Sequence, residues 1–518
     1  MPHTQAAALE SPLVVASNRG PVSFHRNADG ELVGERGSGG LVTALAGVLF
    51  ESDATWLAAA MTDGDREVAS SSTSIPVEPA GRAGFVDVAP ERYTGYYNGI
   101  SNRVLWQLHH YLFDLSYLPA WDAETRDIWS DYREVNRAFA QALDREGERD
   151  PVYLVQDYQL SLVPGFLREL QPRARIAHFT HTPFAGPAYF RVLPASMRDD
   201  LLQGLLGADV LGFQAERWAE NFLLCVREAS LPDVHVDVRR RRVRVGDRTV
   251  LVRTYPVSLD PQPLRATARS PQAKVHRREI ADLRGDAKLL LRVDRLELSK
   301  NIVRGFQAFE TFLHDRPEWH GRVRFLALLA RSRAEIPEYQ TYAERCWDIV
   351  DAINAKFGTT EWQPIDMRTD EDYVRAVAAY TQYDALLVNP IFDGMNLVAM
   401  EGPMVNRRHG ALILSSNAGA YARLGRHAIA VNPFDVAETA EAIQLALEMP
   451  QDERIRRARG LGRAVLARNP VRWLTAQLRD LDVATDVAAA SELAQQEDEA
   501  GRAFDRDVGG GGEPFGRL

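Results

Sequence analysis

Short apolar runs alternate with longer amphipathic stretches through most of the chain, and the alternation occurs twice. In the first half, the apolar runs that predict strands are residues 13–16, 56–59, 152–155, 176–180 and 210–213. In the second half, they are residues 289–293, 323–329, 385–388, 412–415 and 428–431. Amphipathic stretches of helical length, such as 130–143 and 215–228, lie between them. This order predicts an α/β protein with two Rossmann-like domains, whose parallel sheets face a central cleft where ligands bind at the strands' carboxyl ends.

The prolines in residues 254–261 interrupt the alternation and mark the predicted seam between the two domains. A length of 518 residues also exceeds the usual size of a single core. The expected division is a first domain over 12–260, a second domain over 261–470, and a final helix over 471–487 that packs back on the first domain. The polar residues 1–11 and the residues 488–518, which are rich in Glu, Gln, Asp and Gly, predict disordered tails.

Charge and composition exclude several classes of protein. The formal charge of −10 argues against a nucleic-acid partner, because such binding depends on clustered Lys and Arg. The basic run 239–242 lies on a predicted hairpin, 234–252, where a solvated strand is favoured over a nucleic-acid patch. No apolar run approaches the ~18 residues of a membrane helix and no secretory leader begins the chain, so no membrane partner and a cytoplasmic location are expected. Cys225 and Cys346 predict buried free thiols, not a disulfide or a zinc site.

The most informative stretch follows the predicted strand 385–388 and runs from Asp393 to Glu401. A glycine-bearing loop that opens a helix presents free backbone N–H groups, which bind anions such as phosphate. Glu401 lies just over one turn beyond Asn396, so its carboxylate can reach sugar hydroxyls of the same ligand, while Asp393 stays at the strand's carboxyl end. This stretch predicts a nucleotide-sugar site.

Cations follow other strands of the second half. Arg295 and Lys300 flank a turn after the strand 289–293 and suit a diphosphate, and Arg333 follows the strand 323–329. Alone, Arg295 and Lys300 would be interpreted as a surface pair of basic residues, but beside the 393–401 stretch the diphosphate interpretation is favoured. Arg333 could bind a second phosphate or could equally be a satisfied surface charge.

Polar residues also follow strands of the first half. Asp157 and His181 end adjacent predicted strands, which favours substrate contact over a purely structural role. Gly39 and Gly40 precede a predicted helix and can let backbone approach a phosphate, although a simple turn is the alternative. They are not a Walker loop, because no Gly-Lys-Ser/Thr follows.

Taken in order and spacing, the motifs of both halves resemble those of trehalose-6-phosphate synthases over about residues 12 to 480. The matching segments are Ser17-Asn18-Arg19, Ser38-Gly39-Gly40-Leu41, Tyr96-Tyr97-Asn98, Leu105-Trp106, Gln156-Asp157-Tyr158, His181-Thr182-Pro183-Phe184, Leu211-Gly212-Phe213-Gln214, Arg295 with Ser299-Lys300, Asp393-Gly394-Met395-Asn396-Leu397-Val398, and Val431-Asn432-Pro433. The resemblance implies a GT-B glycosyltransferase that moves glucose from a nucleotide donor to the anomeric hydroxyl of glucose 6-phosphate, with retention and without a metal or other cofactor. It also implies front-face attack, in which Asp393 and Asp157 position substrate and form no covalent intermediate.

The resemblance further implies a role for each matching residue. The first domain would bind the acceptor and the second the nucleotide sugar. The catalytic set would be Arg295, Lys300, Asp393 and His181. Donor contacts would come from Gly39, Gly40, Asn396, Leu397, Val398 and Glu401. Acceptor contacts would come from Arg19, Tyr97, Trp106, Asp157 and Arg333, with the apolar face of Trp106 toward the sugar.

The chain departs from the family at some of these motifs. The common Leu-Asp-Tyr-Ser-Lys-Gly is Leu296-Glu297-Leu298-Ser299-Lys300-Asn301 here, and His-Asp-Tyr is Gln156-Asp157-Tyr158. The loop expected to contact the base, residues 368–372, is acidic. Because a carboxylate can accept from both guanine N1–H and N2–H, Asp370 and Glu371 predict a slight preference for GDP-glucose over UDP-glucose. The alternative is that these acids cap the following helix.

Two other functions stay open. A pseudo-glycosyltransferase of the validoxylamine-phosphate type shares the GT-B frame, but Tyr97 and Trp106 match the sugar-acceptor pattern instead. A silent sugar-phosphate sensor would have lost its diphosphate cations, whereas Arg295 and Lys300 are present. A homo-oligomer is compatible with the sequence.

Overall fold

The computed structural model describes residues 12–36, 54–71, 74–77, 81–146 and 151–485. The strands of the first half are β1 (Leu13–Ala16), β2 (Val22–Arg26), β3 (Leu32–Arg36), β4 (Thr55–Ala59), β5 (Ile75–Pro76), β6 (Arg82–Val86), β7 (Val152–Gln156), β8 (Arg175–Thr180), β9 (Val210–Phe213), β10 (Val234–Asp237), β11 (Arg242–Val245) and β12 (Arg248–Thr254). All but β2 and β3 join one sheet in the order β10-β11-β12-β9-β8-β7-β1-β4-β6-β5, whose central strands are parallel. β2 and β3 form a separate antiparallel pair.

The helices of this half are Asp63–Ser71, Pro90–Thr94, Trp106–His109, Ala123–Arg145, Val163–Leu170, Pro187–Phe190, Ala195–Leu206 and Glu216–Ala229, with a π-helix at Gly95–Leu105 and a 3-10 turn at Tyr158–Leu160. Those that join a hydrophobic cluster pack on one face of the sheet, whereas Trp473 and Leu481 from the end of the chain join the cluster on the other face. β1 contributes to both clusters: Val14 and Ala16 pack in the first, and Leu13 and Val15 pack in the second. A strand that is apolar at every position is buried on both faces, as parallel sheets require.

The second half repeats the architecture with six strands. These are β13 (Lys288–Arg295), β14 (Val323–Ala330), β15 (Ile365–Arg368), β16 (Ala385–Val388), β17 (Ala411–Ser415) and β18 (Ile429–Val431), all parallel, in the order β15-β14-β13-β16-β17-β18. The helices are Pro261–Arg269, Pro271–Arg284, Ile302–Asp315, Pro337–Phe357, Tyr373–Tyr380, Val398–Val405, Tyr421–Leu424, Val436–Glu448 and Gln451–Leu466, with 3-10 turns at Leu298–Lys300, Pro317–Trp319 and Gly425–His427. The prediction of an α/β protein with parallel sheets is confirmed for the whole second sheet and for the central strands of the first, whose edges carry the antiparallel pairs of β10, β11, β12 and of β5 with β6. Each predicted strand lies within two residues of an observed one.

Strand order fixes where ligands can bind. In the second sheet the chain order reverses between β13 and β16, and in the first sheet it reverses between β1 and β7. At such switch points the loops leave in opposite directions and open a crevice at the carboxyl ends. Arg295 ends β13 and Asp157 follows β7, so both lie at switch points.

Residues 470–485 are helical and pack against the first sheet, although they follow the second domain in the chain. Trp473 Nε1 donates to Tyr255 O at 3.0 Å, and the Trp473 ring meets Phe179 edge-on at 5.0 Å between centroids. Tyr255 OH donates to Asp480 at 2.7 Å. This helix therefore ties the end of the chain to the first domain.

Other sequence predictions have clear outcomes. The hairpin at 234–252 is confirmed, because β11 pairs antiparallel with both β10 and β12. In the basic run, Arg239 and Arg240 are exposed, and Arg241 pairs with Glu216 at 3.2 Å. Cys225 and Cys346 are buried free thiols, as predicted. Within the described ranges, no helix is long and apolar enough to cross a membrane. The tails 1–11 and 488–518 lie outside the described residues.

Candidate functional site

The loop after β16 meets the facing domain through its backbone. A Cβ atom on Gly394 would lie 1.8 Å from the His181 carbonyl oxygen, so a side chain cannot be placed there without moving one domain. Asn396 has φ +74°, and its Oδ1 accepts from Ala399 N at 3.2 Å at the start of the helix Val398–Val405. The loop therefore places Asp393 in the cleft and opens a helix beside it.

Lys300 and Asp393 form a buried ion pair at the second switch point. Lys300 Nζ lies 2.6 Å from Asp393 Oδ2, and Asn396 Nδ2 donates to the same oxygen at 3.1 Å. Burial alone would raise the pKa of Asp393, but the Lys300 ammonium brings it below its ordinary value. Burial alone would lower the pKa of Lys300, and Asp393 raises it instead. Both side chains are therefore charged, and Lys300 and Asn396 both contact the Oδ2 atom of Asp393.

A buried polar network that the sequence reasoning missed supports this pair. The Arg292 side chain is fully buried, with Nε 3.0 Å from Asp294 Oδ2 and Nη1 donating to Asn389 Oδ1 at 2.7 Å. Arg292 Nη2 also donates to the Lys300 carbonyl oxygen. The signal was present, because Arg292 and Asp294 are charges that follow the apolar run Leu289–Leu291 inside a strand, β13.

Two predicted phosphate arginines converge on one carboxylate. Arg295 Nη1 lies 3.0 Å and Arg333 Nη1 3.6 Å from Glu297 Oε1, and the Glu297 side chain has no exposed surface. Arg333 Nη1 also donates to Tyr339 OH at 2.7 Å, and its Nη2 to Tyr158 OH of the first domain at 3.5 Å. The Arg295 side chain is 51% exposed, so it remains open to a ligand.

Trp106 has protein neighbours against its ring. The Arg333 guanidinium lies 4.0 Å from the ring centroid, and the His110 ring stacks on it, also at 4.0 Å. Burial lowers the pKa of His110 to about 4, so this ring is neutral. Trp106 Nε1 is buried without a hydrogen-bond partner among the described residues. Trp106 therefore has protein neighbours at its ring and an unpartnered N–H, and its contact with a sugar stays a prediction.

Asp157 and His181 lie together at the end of neighbouring strands of the first sheet. Asp157 Oδ1 accepts from His181 N at 3.0 Å. Burial raises the pKa of Asp157 to about 6, against the opposing effect of backbone N–H donors and Arg333. Burial lowers the pKa of His181 to about 3, and its ring nitrogens contact Gln156 Oε1 at 3.0 Å and Gln214 Nε2 at 3.4 Å. The His181 ring is thus neutral and held by two glutamines.

The remaining acceptor candidates lie beyond β1. Arg19 is exposed at the carboxyl end of that strand, and Tyr97 is half-buried and stacks on Tyr93 at 5.6 Å. Tyr93 in turn accepts from Asn18 Nδ2 at 3.2 Å. This aromatic group comes from the π-helix Gly95–Leu105 and the helix before it, neither of which the periodicity predicts.

The donor candidates lie on and near the helix Val398–Val405. Leu397 and Val398 are half-buried at its start. The Glu401 carboxylate accepts from Tyr380 OH at 3.2 Å, and burial raises its pKa. Gly39 and Gly40 lie outside the described residues.

Two of the three acidic residues after β15 contact Arg375. Asp370 pairs with the Arg375 guanidinium, and Asp372 Oδ1 accepts from Arg375 N at 2.8 Å, capping the helix Tyr373–Tyr380. Glu371 is exposed. The structure thus gives Asp372 the capping role that was the alternative to base recognition. Among the described residues, no group of three or more His, Cys, Asp or Glu side chains is arranged to hold a metal ion.

Further contacts join the two domains around this site. The rings of Tyr111 and Phe392 lie 4.4 Å apart, and Arg103 Nη2 bonds Glu338 Oε1 at 2.8 Å. Together with the contact of Gly394 with His181, they place the second-domain residues Arg295, Lys300, Asp393 and Arg333 opposite the first-domain residues Trp106, Asp157 and His181.

Comparison with known proteins gives consistent matches. The family model described as glycosyltransferase family 20 matches residues 11–483. A trehalose-6-phosphate synthase of Mycobacterium sp. (strain KMS) is 36% identical over 495 residues, covering 93% of this chain and 97% of that protein. The alpha,alpha-trehalose-phosphate synthase [UDP-forming] 2 of Aspergillus niger is 33% identical over 455 residues, covering 85% of this chain and 91% of that protein.

Solved structures agree in fold. A trehalose-6-phosphate protein from E. coli bound with UDP-2-fluoro glucose has a TM-score of 0.79 at 28% identity, covering 91% of this chain and 99% of that one. An alpha,alpha-trehalose-phosphate synthase (UDP-forming) from Burkholderia xenovorans in complex with glucose-6-phosphate has a TM-score of 0.78 at 27% identity, covering 91% of this chain and 100% of that one. These likenesses confirm the prediction of a GT-B fold.

Proposed function

Since this chain belongs to glycosyltransferase family 20 and is an enzyme of the trehalose-6-phosphate synthase class, we propose its donor, its acceptor and the roles of its site residues. The reaction is transfer of glucose, with retention, from a nucleoside-diphosphate glucose to glucose 6-phosphate, giving α,α-trehalose 6-phosphate and a nucleoside diphosphate. The observation that carries it is the meeting, across one cleft, of the Lys300–Asp393 pair with Arg333 and Trp106.

The leaving group sets the demand on the second domain. As the bond between glucose C1 and the phosphate oxygen breaks, negative charge develops on the diphosphate. Arg295 and Lys300 meet that charge, and preorganised cations in a buried site are an effective means of doing so. The backbone at Leu397 and Val398 supports the phosphates, Asn396 shapes that turn, and Glu401 binds the ribose.

The acceptor is held by the first domain and by Arg333. Arg19, Tyr97 and Arg333 bind the 6-phosphate, Trp106 donates its N–H, and Asp157 accepts from sugar hydroxyls. The anomeric hydroxyl attacks C1 from the side of the leaving group and gives its proton to a donor phosphate oxygen. Asp393, held by Lys300 and Asn396, orients the glucosyl unit together with His181 and forms no covalent bond to it.

The donor base is proposed to be uracil. The prediction of GDP-glucose rests on Asp370 and Glu371 as guanine contacts, and Asp370 is paired with Arg375 instead. The A. niger and B. xenovorans relatives are UDP-forming by name. We therefore place UDP-glucose first and GDP-glucose second, and equal concentrations of the two donors in one assay compare them directly.

The reaction is tested by nucleoside diphosphate release with product identification. Release is expected only when glucose 6-phosphate is present, with trehalose 6-phosphate as product and with activity retained in EDTA, because Arg295 and Lys300 supply the positive charge. Release with a cyclitol phosphate but not with glucose 6-phosphate would instead support the pseudo-glycosyltransferase. Binding of sugar phosphate without release from any donor would support the sensor.

The pH profile tests the role of Asp157. Because its pKa is about 6, the ionised form that accepts from sugar hydroxyls prevails above that pH. We expect kcat/KM for the acceptor to rise with pH through about 6, and this limb to disappear in Asp157→Asn. The effect of Asp157 on the free energy of unfolding has the opposite sign. Because the pKa of Asp157 in the folded state exceeds its ordinary value of 3.8, the stabilisation by this residue is complete below pH 3.8 and is lost as pH rises through about 6.

A further inference from the structure

Glu297 is the only residue whose carboxylate touches both predicted phosphate arginines in the part of the chain that the structure describes. Its Oε1 atom lies 3.0 Å from Arg295 Nη1 and 3.6 Å from Arg333 Nη1, and it accepts from Ser332 Oγ at 2.8 Å. Arg295 ends β13 and Arg333 follows the adjacent strand, β14. One oxygen atom thus joins the ends of two strands.

Burying the Glu297 carboxylate has a high desolvation cost. Its side chain has no exposed surface, and its Oε2 atom has no hydrogen-bond partner among the described residues. Burial alone would raise the pKa of Glu297, but the charges of Arg295, Arg333 and Lys300 hold it at about 2. Buried charges with an unsatisfied oxygen contribute little net stability, so a role other than stability is indicated.

The two arginines serve different substrates under the proposed function. Arg295 is half exposed toward the donor diphosphate, whereas Arg333 is buried, stacked on Trp106 and bonded to Tyr158 of the other domain. Each guanidinium forms an ion pair with Glu297 Oε1, and Arg333 directs its hydrogen bonds to Tyr339 and Tyr158. A single carboxylate oxygen atom therefore provides the negative charge that both guanidinium groups share.

We propose that Glu297 is a positioning residue that fixes the donor-diphosphate arginine and the acceptor-phosphate arginine relative to each other, so that the two substrates are held at the distance that glucosyl transfer requires. This inference rests on the proposed function. It acts through Arg295 and Arg333, and Glu297 itself touches no reacting atom. A shared anchor predicts that its loss disturbs both substrates together.

The test uses the full-length protein with Glu297→Gln, which keeps the size of the side chain and removes its charge. We expect kcat to fall about 10²-fold, as for misplaced reacting groups. The KM values for donor and for glucose 6-phosphate should both rise. Arg333→Ala should raise mainly the KM for glucose 6-phosphate. Ser332→Ala is the matched control, since it removes a donor from the same oxygen without changing a charge, and it should change the KM values by less than about threefold.

A double-mutant cycle separates positioning from a structural defect. In an Arg333→Ala background, Glu297→Gln should lose its effect on the KM for glucose 6-phosphate and keep its effect on the donor, a departure from additivity of at least about fivefold. Additive effects, or a change confined to one substrate, would overturn the proposal. Glu297→Asp keeps the charge but shortens the side chain, so it should restore the position of one arginine and not of both. If the Gln variant does not fold, the Asp variant replaces it in the test.

Failure of the proposed function leaves this inference testable. If the wild-type protein turns over no donor with any acceptor, calorimetry with inorganic pyrophosphate and with glucose 6-phosphate measures the two phosphate sites separately. Glu297→Gln should change both affinities, and an unchanged affinity for either would reject the shared anchor.

Discussion

Lys300→Ala is expected to lower kcat/KM for glucosyl transfer by about 10³-fold, the scale seen when a preorganised group that meets developing charge is removed. The substitution has two effects at one place. It removes a cation that we propose meets the leaving diphosphate, and it leaves the Asp393 carboxylate without the ammonium 2.6 Å away. Breaking a buried ion pair from one side costs about 3–5 kcal/mol, so a lower Tm should accompany the lost activity.

Lys288→Ala is a matched control for this effect. Lys288 Nζ lies 3.7 Å from the buried Asp384 at the opposite end of the same strand, β13. Asp384 keeps Arg408 at 3.1 Å and Arg454 at 3.3 Å, so its charge stays compensated. This variant should retain wild-type kcat/KM. A Lys300→Ala enzyme within tenfold of the wild type would contradict the assignment of Lys300 to the leaving group.

Gly394→Ala is expected to lower kcat/KM by about 10²-fold, because a displacement of about 1 Å between reacting groups has that effect. Its Cβ would lie 1.8 Å from the His181 carbonyl oxygen, and backbone on both sides leaves no side chain that can turn away. The clash lies between domains, so the cores should remain intact while the cleft opens. Steady-state kinetics and the radius of gyration from small-angle scattering measure the two consequences.

Gly462→Ala provides the comparison for a glycine without such a contact. A Cβ atom there meets nothing within 4 Å, and Gly462 lies in the helix Gln451–Leu466, where alanine is favoured by about 1 kcal/mol. Its activity should be unchanged and its Tm equal or higher. Wild-type kinetics in Gly394→Ala would show that the cleft accommodates a methyl group and would remove the basis of the prediction.

Sequence patterns were sufficient for the sheets and for the positions of the candidate residues. Strands such as β9 and β16 are apolar at every position, and a parallel sheet buried on both faces needs that pattern. Because all strands of the second sheet run parallel, residues that follow β13, β14 and β16 had to meet at one edge. Arg295, Arg333 and Asp393 could therefore be brought together without coordinates.

Contacts between side chains were not accessible in the same way. The pairing of Lys300 with Asp393 depends on the turn Leu298–Lys300, and the covering of Trp106 by Arg333 depends on the approach of two domains. The π-helix Gly95–Leu105 escapes a search for the 3.6-residue period because its winding differs. Likewise, the sequence predicts base recognition by Asp370 because nothing in it ranks the nearby Arg375 above a nucleotide as the partner of that carboxylate.

The helix 470–485 has a consequence for the order in which the protein is made. Phe179 and Tyr255 leave the ribosome long before Trp473, which follows Tyr255 by 218 residues. At a translation rate of about 5–20 residues per second, that interval is roughly 10–40 s, during which the apolar face of the first domain that Trp473 later covers is exposed. The first domain is thus synthesised first but completes its folding last, because the helix 470–485 that it needs follows the whole second domain in the chain.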